Sequence, residues 1–270
     1  MATGPFVRIP PRRGNIRVPV ASRRATLAGL ALYAPCRPYV LAAHHSAWAL
    51  VAALGPWVLR ADRVPWKPPM GPQVWGQLCD EWRSRLGPFD RVAVYERPQA
   101  SRSGVSVLLL ADDRPLAFVK VRQDVSRMAI SMQVLATLSG RPSAHFRSPS
   151  PLDQGECAGW GWLGLSPMPP RPHRPARRPP LAAIVGDIQA RLRSSLAPAD
   201  VPPQWAPMHG DLTPWNLRLL GRSELWLLDW EEAAWGPPLA DEVYFAATAA
   251  LLLGSPPRRL TGADEAVRFW

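Results

Sequence analysis

Lysine is almost missing from this chain. Among 32 basic residues only Lys67 and Lys120 are lysines, and the rest are arginines. A bias this strong can be genomic in origin and carries no function by itself, but it makes the two survivors worth placing. Cysteine is scarce too: Cys36, Cys79 and Cys157 are odd in number and far apart. That excludes a disulfide framework and the paired spacings of a zinc site, and makes a reducing compartment the default. No apolar run reaches the roughly 18 residues of a spanning helix, and the basic start lacks a signal-peptide core and cleavage site. A cytoplasmic protein is expected, in the compartment where ATP is available. Acidic residues are short in the first third. Residues 1–90 hold 12 basic and 4 acidic side chains, 91–168 hold 9 and 6, and 169–270 hold 11 and 11. The net charge of +11 is therefore an N-terminal property, of the kind that meets an anionic surface or partner.

What is present reads as globular. At 270 residues with 47% hydrophobic content, the chain can bury a core of its own, although 33 prolines imply much irregular backbone. Residues 1–24, rich in Pro and Arg, read as an irregular arm. Val40–Leu54 carries apolar residues at helical spacing, with Trp48 and Trp57 beside it. Three roles are open to this extension: packing on the rest of the protein, lying in a membrane interface with arginines toward anionic headgroups, or meeting nucleic acid. No aromatic–basic binding motif supports the last. Arg60–Gly71 reads as a linker and Pro72–Leu86 as a short helix. From Arg91 the pattern alternates, predicting strands over Arg91–Tyr95, Gly104–Leu110 and Leu116–Arg122, then over Pro149–Glu156 and Gly159–Leu165. A helix over Met128–Leu138 lies between the two groups. Pro169–Pro180 reads as an extended spacer, followed by helices over Leu181–Leu196 and Ala240–Leu253. A last short helix is opened by Thr261 with Asp264 three residues on.

The richest stretch is residues 208–232. Met-His-Gly-Asp-Leu-Thr-Pro-Trp-Asn precedes two short apolar runs, Leu217–Leu220 and Leu225–Leu228, around the turn signal Gly221-Arg222-Ser223. Folding this hairpin midway between Arg222 and Ser223 sets Asn216 opposite Asp229. An amide oxygen and a carboxylate then meet at the hairpin mouth, a donor pair suited to Mg²⁺, which keeps its other positions for water and phosphate. Asp211, five residues before Asn216, is placed to orient a nucleophile beside the metal.

His209-Gly210-Asp211-Leu212, then Asn216, then Leu228-Asp229-Trp230-Glu231, resemble the catalytic core of the aminoglycoside phosphotransferase and choline kinase-like family. Gly236-Pro237-Pro238 and Asp241 fit the same pattern, and the resemblance covers about residues 91–254. It implies a two-lobed, protein-kinase-like α+β fold with a five-stranded antiparallel small lobe and a reduced helical large lobe. Three parts are expected: an N-terminal extension over 1–80, a nucleotide-binding lobe over 81–168 and a catalytic lobe over 169–270. The implied cofactors are ATP and Mg²⁺. The implied roles are Asp211 as catalytic base or orienter, Asn216 and Asp229 as metal ligands, and His209 and Asp241 as structural support. Lys120, alone in an apolar strand, matches the lysine that steadies the α/β-phosphates. Ser101, Ser103 and Gly104 lie where a phosphate-covering loop is expected, and Leu165-Ser-Pro-Met168 where a hinge holds adenine.

One departure stands out. The family's helix after the third strand usually carries a glutamate that pairs with the lysine, whereas here Ser131 occupies that place, with Gln133 close by. The reaction implied is transfer of the ATP γ-phosphoryl group to a hydroxyl of a small molecule, with a sugar or another neutral or anionic compound favoured over a polycationic aminoglycoside. The rival is a nucleotide-binding pseudokinase serving as an interaction module, favoured by the absent glutamate, the single glycine of 97–104 and the short large lobe. Beyond the small-molecule substrate, an anionic membrane surface or a protein is the expected partner of the extension.

Overall fold

Alternating apolar and polar side chains in the middle of the chain become strands of an antiparallel sheet. In the computed structural model all residues are described except 1–5, 11–13, 60–62, 65, 97–103, 197–199 and 257–259. The chain divides into two compact units: Met1–Ala34, Ala42–Val125 and Pro151–Pro172 form the first, and Pro35–Leu41, Ser126–Ser150 and His173–Trp270 the second.

The sheet of the first unit contains β1 (Phe6–Ile9), β2 (Ile16–Pro19), β3 (Arg63–Val64), β4 (Arg91–Glu96), β5 (Gly104–Ala111), β6 (Arg114–Arg122), β7 (Pro151–Cys157) and β8 (Trp160–Leu165). Among the described residues they lie in the order β3-β1-β2-β4-β5-β6-β8-β7. The β5–β6 connection is the two-residue turn Asp112-Asp113, with both residues at positive φ (48° and 64°). This is the backbone that matches strand twist in a tight hairpin, and Asp tolerates it.

The helices of this unit are α1 (Arg23–Ala31), α2 (Pro38–Leu54, whose first residues fall in the second unit) and α3 (Pro72–Arg85). In α3, Trp75, Leu78, Cys79 and Trp82 follow helical spacing and are all buried, packing on one face of the sheet against Val92, Val107, Val119 and Val121. Full burial of Leu78 alone is worth about 2 kcal/mol. Ala25 and Ala28 of α1 pack against Ala93, Leu108 and Leu110. The contact is close enough that a Cβ on Gly29 would lie 2.9 Å from Val18.

Two expectations are corrected here. Within residues 1–24, expected as an irregular arm, Phe6–Ile9 and Ile16–Pro19 pair as antiparallel strands and continue the sheet through β2–β4 pairing, Ile16 opposite Tyr95. The alternation Phe6-Val7 and Ile16-Arg17-Val18 is short and broken by prolines, so its strand character was hidden. The expected five strands are present and become eight, because β1, β2 and β3 join them. The first unit takes in most of residues 1–80, and its second run ends at Val125.

The second unit holds α4 (Ser126–Gly140), β9 (His173–Pro175), α5 (Leu181–Leu192), β10 (Ala206–Met208), β11 (Leu217–Leu220), β12 (Glu224–Leu227), β13 (Ala234–Gly236), α6 (Ala240–Leu253) and α7 (Asp264–Phe269). Strands β12, β11 and β9 form one small sheet, and β10 pairs with β13. Ile184, Val185, Ile188 and Leu192 form the buried face of α5. The proline/arginine spacer contains β9, with His173 buried opposite Leu220. The capping box expected from Thr261 does not form: Gly262 turns at φ 77° and α7 begins behind Ala263, which offers no side-chain cap. Among the described residues no helix is long and apolar enough to cross a membrane.

Candidate active site

The second unit gathers the polar residues of 209–241 around one loop, and the carboxylate of Asp241 holds it. Asp241 stands in the first turn of α6 and is buried. Its Oδ2 accepts the backbone N–H of His209 at 2.8 Å and its Oδ1 that of Gly210 at 3.1 Å. Burial pushes the Asp241 carboxyl up to about 7 despite those two donors, with the charges of Glu242 and Asp211 adding to the rise. The loop then turns at Gly210, φ 77°, where a Cβ would lie 2.0 Å from the carbonyl oxygen of Glu232. Only glycine lets the backbone of 209–211 come this close to that of 229–232.

His209 ties the same two segments with both ring nitrogens. Its Nδ1 accepts the N–H of Asp211 at 3.2 Å, and its Nε2 lies 3.0 Å from the carbonyl oxygen of Leu228. The carbonyl can only accept, so the proton sits on Nε2 and the ring is neutral. The ring packs on Trp230 at 4.4 Å, and Trp230 reaches Phe146 at 6.2 Å. With both nitrogens engaged, His209 acts as a brace.

Asp211 and Asn216 are joined directly. The Asn216 amide donates to Asp211 Oδ2 and to the Asp211 carbonyl, both at 2.9 Å, so its own oxygen faces away from Asp211. Burial pushes the Asp211 carboxyl up to about 7, and the negative charge of Asp229, with Glu232 behind it, adds to the rise; the Asn216 amide and the Trp215 indole oppose it. Asp229 leaves the hairpin at φ 65°, a left-handed conformation that Asp tolerates better than most residues other than glycine.

The hairpin register differs by one residue from that expected. Leu217 pairs with Leu227 and Leu220 with Glu224, so Asn216 lies opposite Leu228, whose N–H donates to the Asn216 carbonyl at 2.9 Å. The turn spans three residues, opened by Gly221 at φ 63°, which shifts the pairing. Asp229 accordingly follows the residue facing Asn216.

Sequence reasoning assigned no role to two side chains here. Glu232 is ion-paired with Arg127 at the start of α4 and contributes to the charge around Asp211; the doubled Glu231-Glu232 after Asp229-Trp230 was the available signal. Arg218, in the apolar run of β11, is buried. Its Nε donates to His173 Nδ1 at 3.0 Å and its Nη1 to the Pro214 carbonyl at 3.5 Å, with Cys36 Sγ 3.6 Å away. A lone arginine in a leucine strand was its signal. Trp235 donates through Nε1 to the Leu196 carbonyl at 3.4 Å.

The remaining expected residues fall as follows. Lys120 is buried in mid-strand, with Ser106 opposite it on β5 and Leu163 on β8. Ala117, Val119 and Val121 belong to the tryptophan-rich core, so alternation sets Lys120 on the other face of the sheet. Gly104 opens β5 at φ 150°, where a Cβ would lie 2.3 Å from the Val121 carbonyl oxygen; Ser101 and Ser103 lie outside the described residues. Leu165 ends β8 and is buried, and Met168 follows it in a half-buried loop. Ser131 is buried in α4 with no hydrogen-bond partner for its Oγ, while Gln133 bonds the Ser195 carbonyl.

Among the described residues no group of three or more His, Cys, Asp or Glu side chains is arranged to hold a metal. An amide with one carboxylate is the smaller, oxygen-only set of an ion held mainly by phosphate and water. The mutual repulsion of Asp211, Asp229 and Glu232 is what a cation would relieve, so the donors present fit Mg²⁺.

One family model matches part of the second unit. Residues 190–259 match the model described as the phosphotransferase enzyme family, and the motif from His209 to Glu231 lies wholly inside that match. No curated protein matches the chain. Similar solved structures include a thermostable mutant of aminoglycoside phosphotransferase APH(4)-Ia in a ternary complex with ADP and hygromycin B, at 13% identity, covering 62% of this chain and 75% of that one, TM-score 0.46. Spectinomycin phosphotransferase APH(9)-Ia in complex with ADP and spectinomycin shares 9% identity over 64% and 73%, TM-score 0.47. A double mutant of the Mycobacterium tuberculosis PknI kinase domain shares 19% over 65% and 78%, TM-score 0.38.

Proposed function

We propose that the protein is an ATP-dependent phosphotransferase that moves the γ-phosphoryl group to a hydroxyl of a small molecule. The observation that carries this reading is the pairing of Asp211 with Asn216 beside Asp229, inside the segment that matches the phosphotransferase enzyme family. A carboxyl pushed up to about 7 is suited to accept a proton near neutral pH. In this reading Asp211 orients the acceptor hydroxyl and takes its proton, while Asn216 holds the Asp211 side chain in one rotamer. The Asn216 oxygen and Asp229 would hold Mg²⁺, which when bound offsets charge on the phosphates. Lys120 steadies the α/β-phosphates as a compact point charge, and the 165–168 segment takes the adenine. The favoured acceptor is a sugar or another neutral or anionic compound, because the chain as a whole is basic. The basic N-terminal third is the part that meets an anionic membrane surface or a protein.

The second reading, a nucleotide-binding pseudokinase, is favoured by α4, which holds no acidic residue from Ser126 to Gly140. One experiment separates the two: an ATP-consumption screen with Mg²⁺ over sugars, amino alcohols, nucleosides and aminoglycosides, repeated with Asp211→Asn and Asp229→Asn. Asp211→Asn is expected to lower turnover by about 10²-fold or more while leaving Mg·ATP binding nearly intact. Asp229→Asn is expected to weaken the Mg²⁺-dependent part of nucleotide binding as well. If no compound is turned over and ATP binds equally well without Mg²⁺, the pseudokinase reading replaces this one.

A further inference from the structure

We infer that the outer face of α2 is a membrane-surface contact that lies in the interface of an anionic bilayer. This deepens the reading of the basic N-terminal third and names its surface; it does not depend on phosphotransferase activity.

The helix has two unlike faces. Val51 is fully buried with Ile16, Val18 and Leu30, and Trp48 packs against that cluster. On the opposite side Ala42, Ser46, Leu50 and Leu54 recur every fourth residue and all are exposed, Leu50 at 50% and Leu54 at 51%. Trp57, just past the helix, is 63% exposed, with its Nε1 donating to the Leu54 carbonyl at 2.6 Å. Residues three to four apart share one side of a helix, so this is a continuous stripe. From Ala42 to Leu54 it runs for about 20 Å at helical rise. A surface helix ordinarily turns charge toward water. Here residues 38–59 contain no Asp, Glu, Lys or Arg at all.

The charge around the stripe indicates what covers it. The first 61 residues contain eight arginines and no acidic residue. Arg23 reaches the end of the stripe, its Nη2 3.4 Å from the Ala53 carbonyl oxygen, and the neighbouring Arg24 is exposed. Guanidinium groups beside exposed leucines, with an indole at the helix end, are the chemistry of a lipid interface. Aliphatic side chains enter the acyl boundary, tryptophan sits at headgroup level, and arginine heads reach phosphates. The helix is too short to span, and lying flat is the arrangement its two faces allow.

The test uses the full chain in co-sedimentation with vesicles of phosphatidylcholine alone or with about a third phosphatidylserine. The wild type is expected to sediment with the anionic vesicles and to bind the neutral ones weakly. Leu50→Glu with Leu54→Glu changes only exposed helix positions to a good helix former, and is expected to lower affinity more than tenfold with the melting temperature unchanged. Leu54→Trp is expected to raise affinity, which no folding defect would imitate. Arg24→Gln is expected to lower affinity about fivefold on anionic vesicles only, near the contribution of one basic residue at such a surface. A wild type that stays in solution overturns the proposal. So does a double variant that binds as well as the wild type; if that binding is abolished by salt, the basic third meets lipid through charge alone and α2 is not the surface. A concentration-dependent dimer that the double variant splits also overturns it, with a second copy covering the face.

Discussion

Gly210 shows how a single backbone position sets the geometry of the candidate site. Its φ of 77° and the 2.0 Å that would separate a Cβ from the Glu232 carbonyl oxygen leave no room for another residue. Gly210→Ala is expected to lower stability by about 2 kcal/mol or more, combining left-handed strain with the clash, and to move Asp211 away from Asn216. A denaturant titration checks the first effect, and an unchanged midpoint would mean that the two loops do not approach this closely. The gathering of Asp211, Asn216 and Asp229 was legible because these residues stand close together in sequence and the Asp–Asn spacing admits few arrangements. The pairing register was not, because Gly221 turns left-handed and the turn spans three residues. Arg218 was passed over because buried arginines are rare enough that an arginine in a strand reads as solvent-facing.

At the scale of elements, the β1–β2 hairpin is the part that sequence reading placed least well. Its strands are four residues each and are set off by prolines, whereas β4, β5 and β6 are longer and alternate cleanly. The hairpin is tied to β4 by more than backbone. Arg17 is buried and bonds Glu96 at 3.1 Å, Trp66 donates to the same carboxylate at 2.5 Å, and Asn15 caps the Glu96 carbonyl at 2.9 Å. Removing residues 1–20 takes Phe6, Val7, Ile16 and Val18 out of the core. It also strips the outer edge of β4, inviting edge-to-edge association. A fall in melting temperature on the order of 10 °C is expected, together with aggregation on heating. A truncated chain that melts like the parent would return the hairpin to the role of a dispensable arm. β9 escaped notice for the same reason: only His173–Pro175 pairs, inside a run whose composition signals extended spacer.

For the molecule as a whole, the carboxylates of the second unit link stability to pH. Asp241 is held protonated up to about 7 in the folded chain by burial, against an ordinary carboxylate value near 4 when unfolded. The folded state therefore binds more protons between those two values, and the sign follows. The contribution of Asp241 is fully present below about pH 4, declines as pH rises through 7 and then levels. Melting temperatures of the wild type and Asp241→Asn, compared from pH 5 to 8, should show the margin of the wild type shrinking as pH rises. A margin that grows with pH would mean that the His209 and Gly210 donors outweigh burial and that Asp241 is an anion throughout.

The three-residue turn at Gly221-Arg222-Ser223 carries a consequence for how this chain can change over time. Exposed loop tips usually accept insertions and deletions freely, because no packing depends on their length. These three residues are exposed, yet they act as the spacer that sets the register of β12 on β11 and so which residue faces Asn216. One residue fewer or more would slip the two strands and turn their leucines outward, carrying Asp229 out of place as well. Substitutions at Arg222 and Ser223 are therefore cheap while a change of length is not, and a lineage that keeps this site should vary the letters of the turn without varying their number.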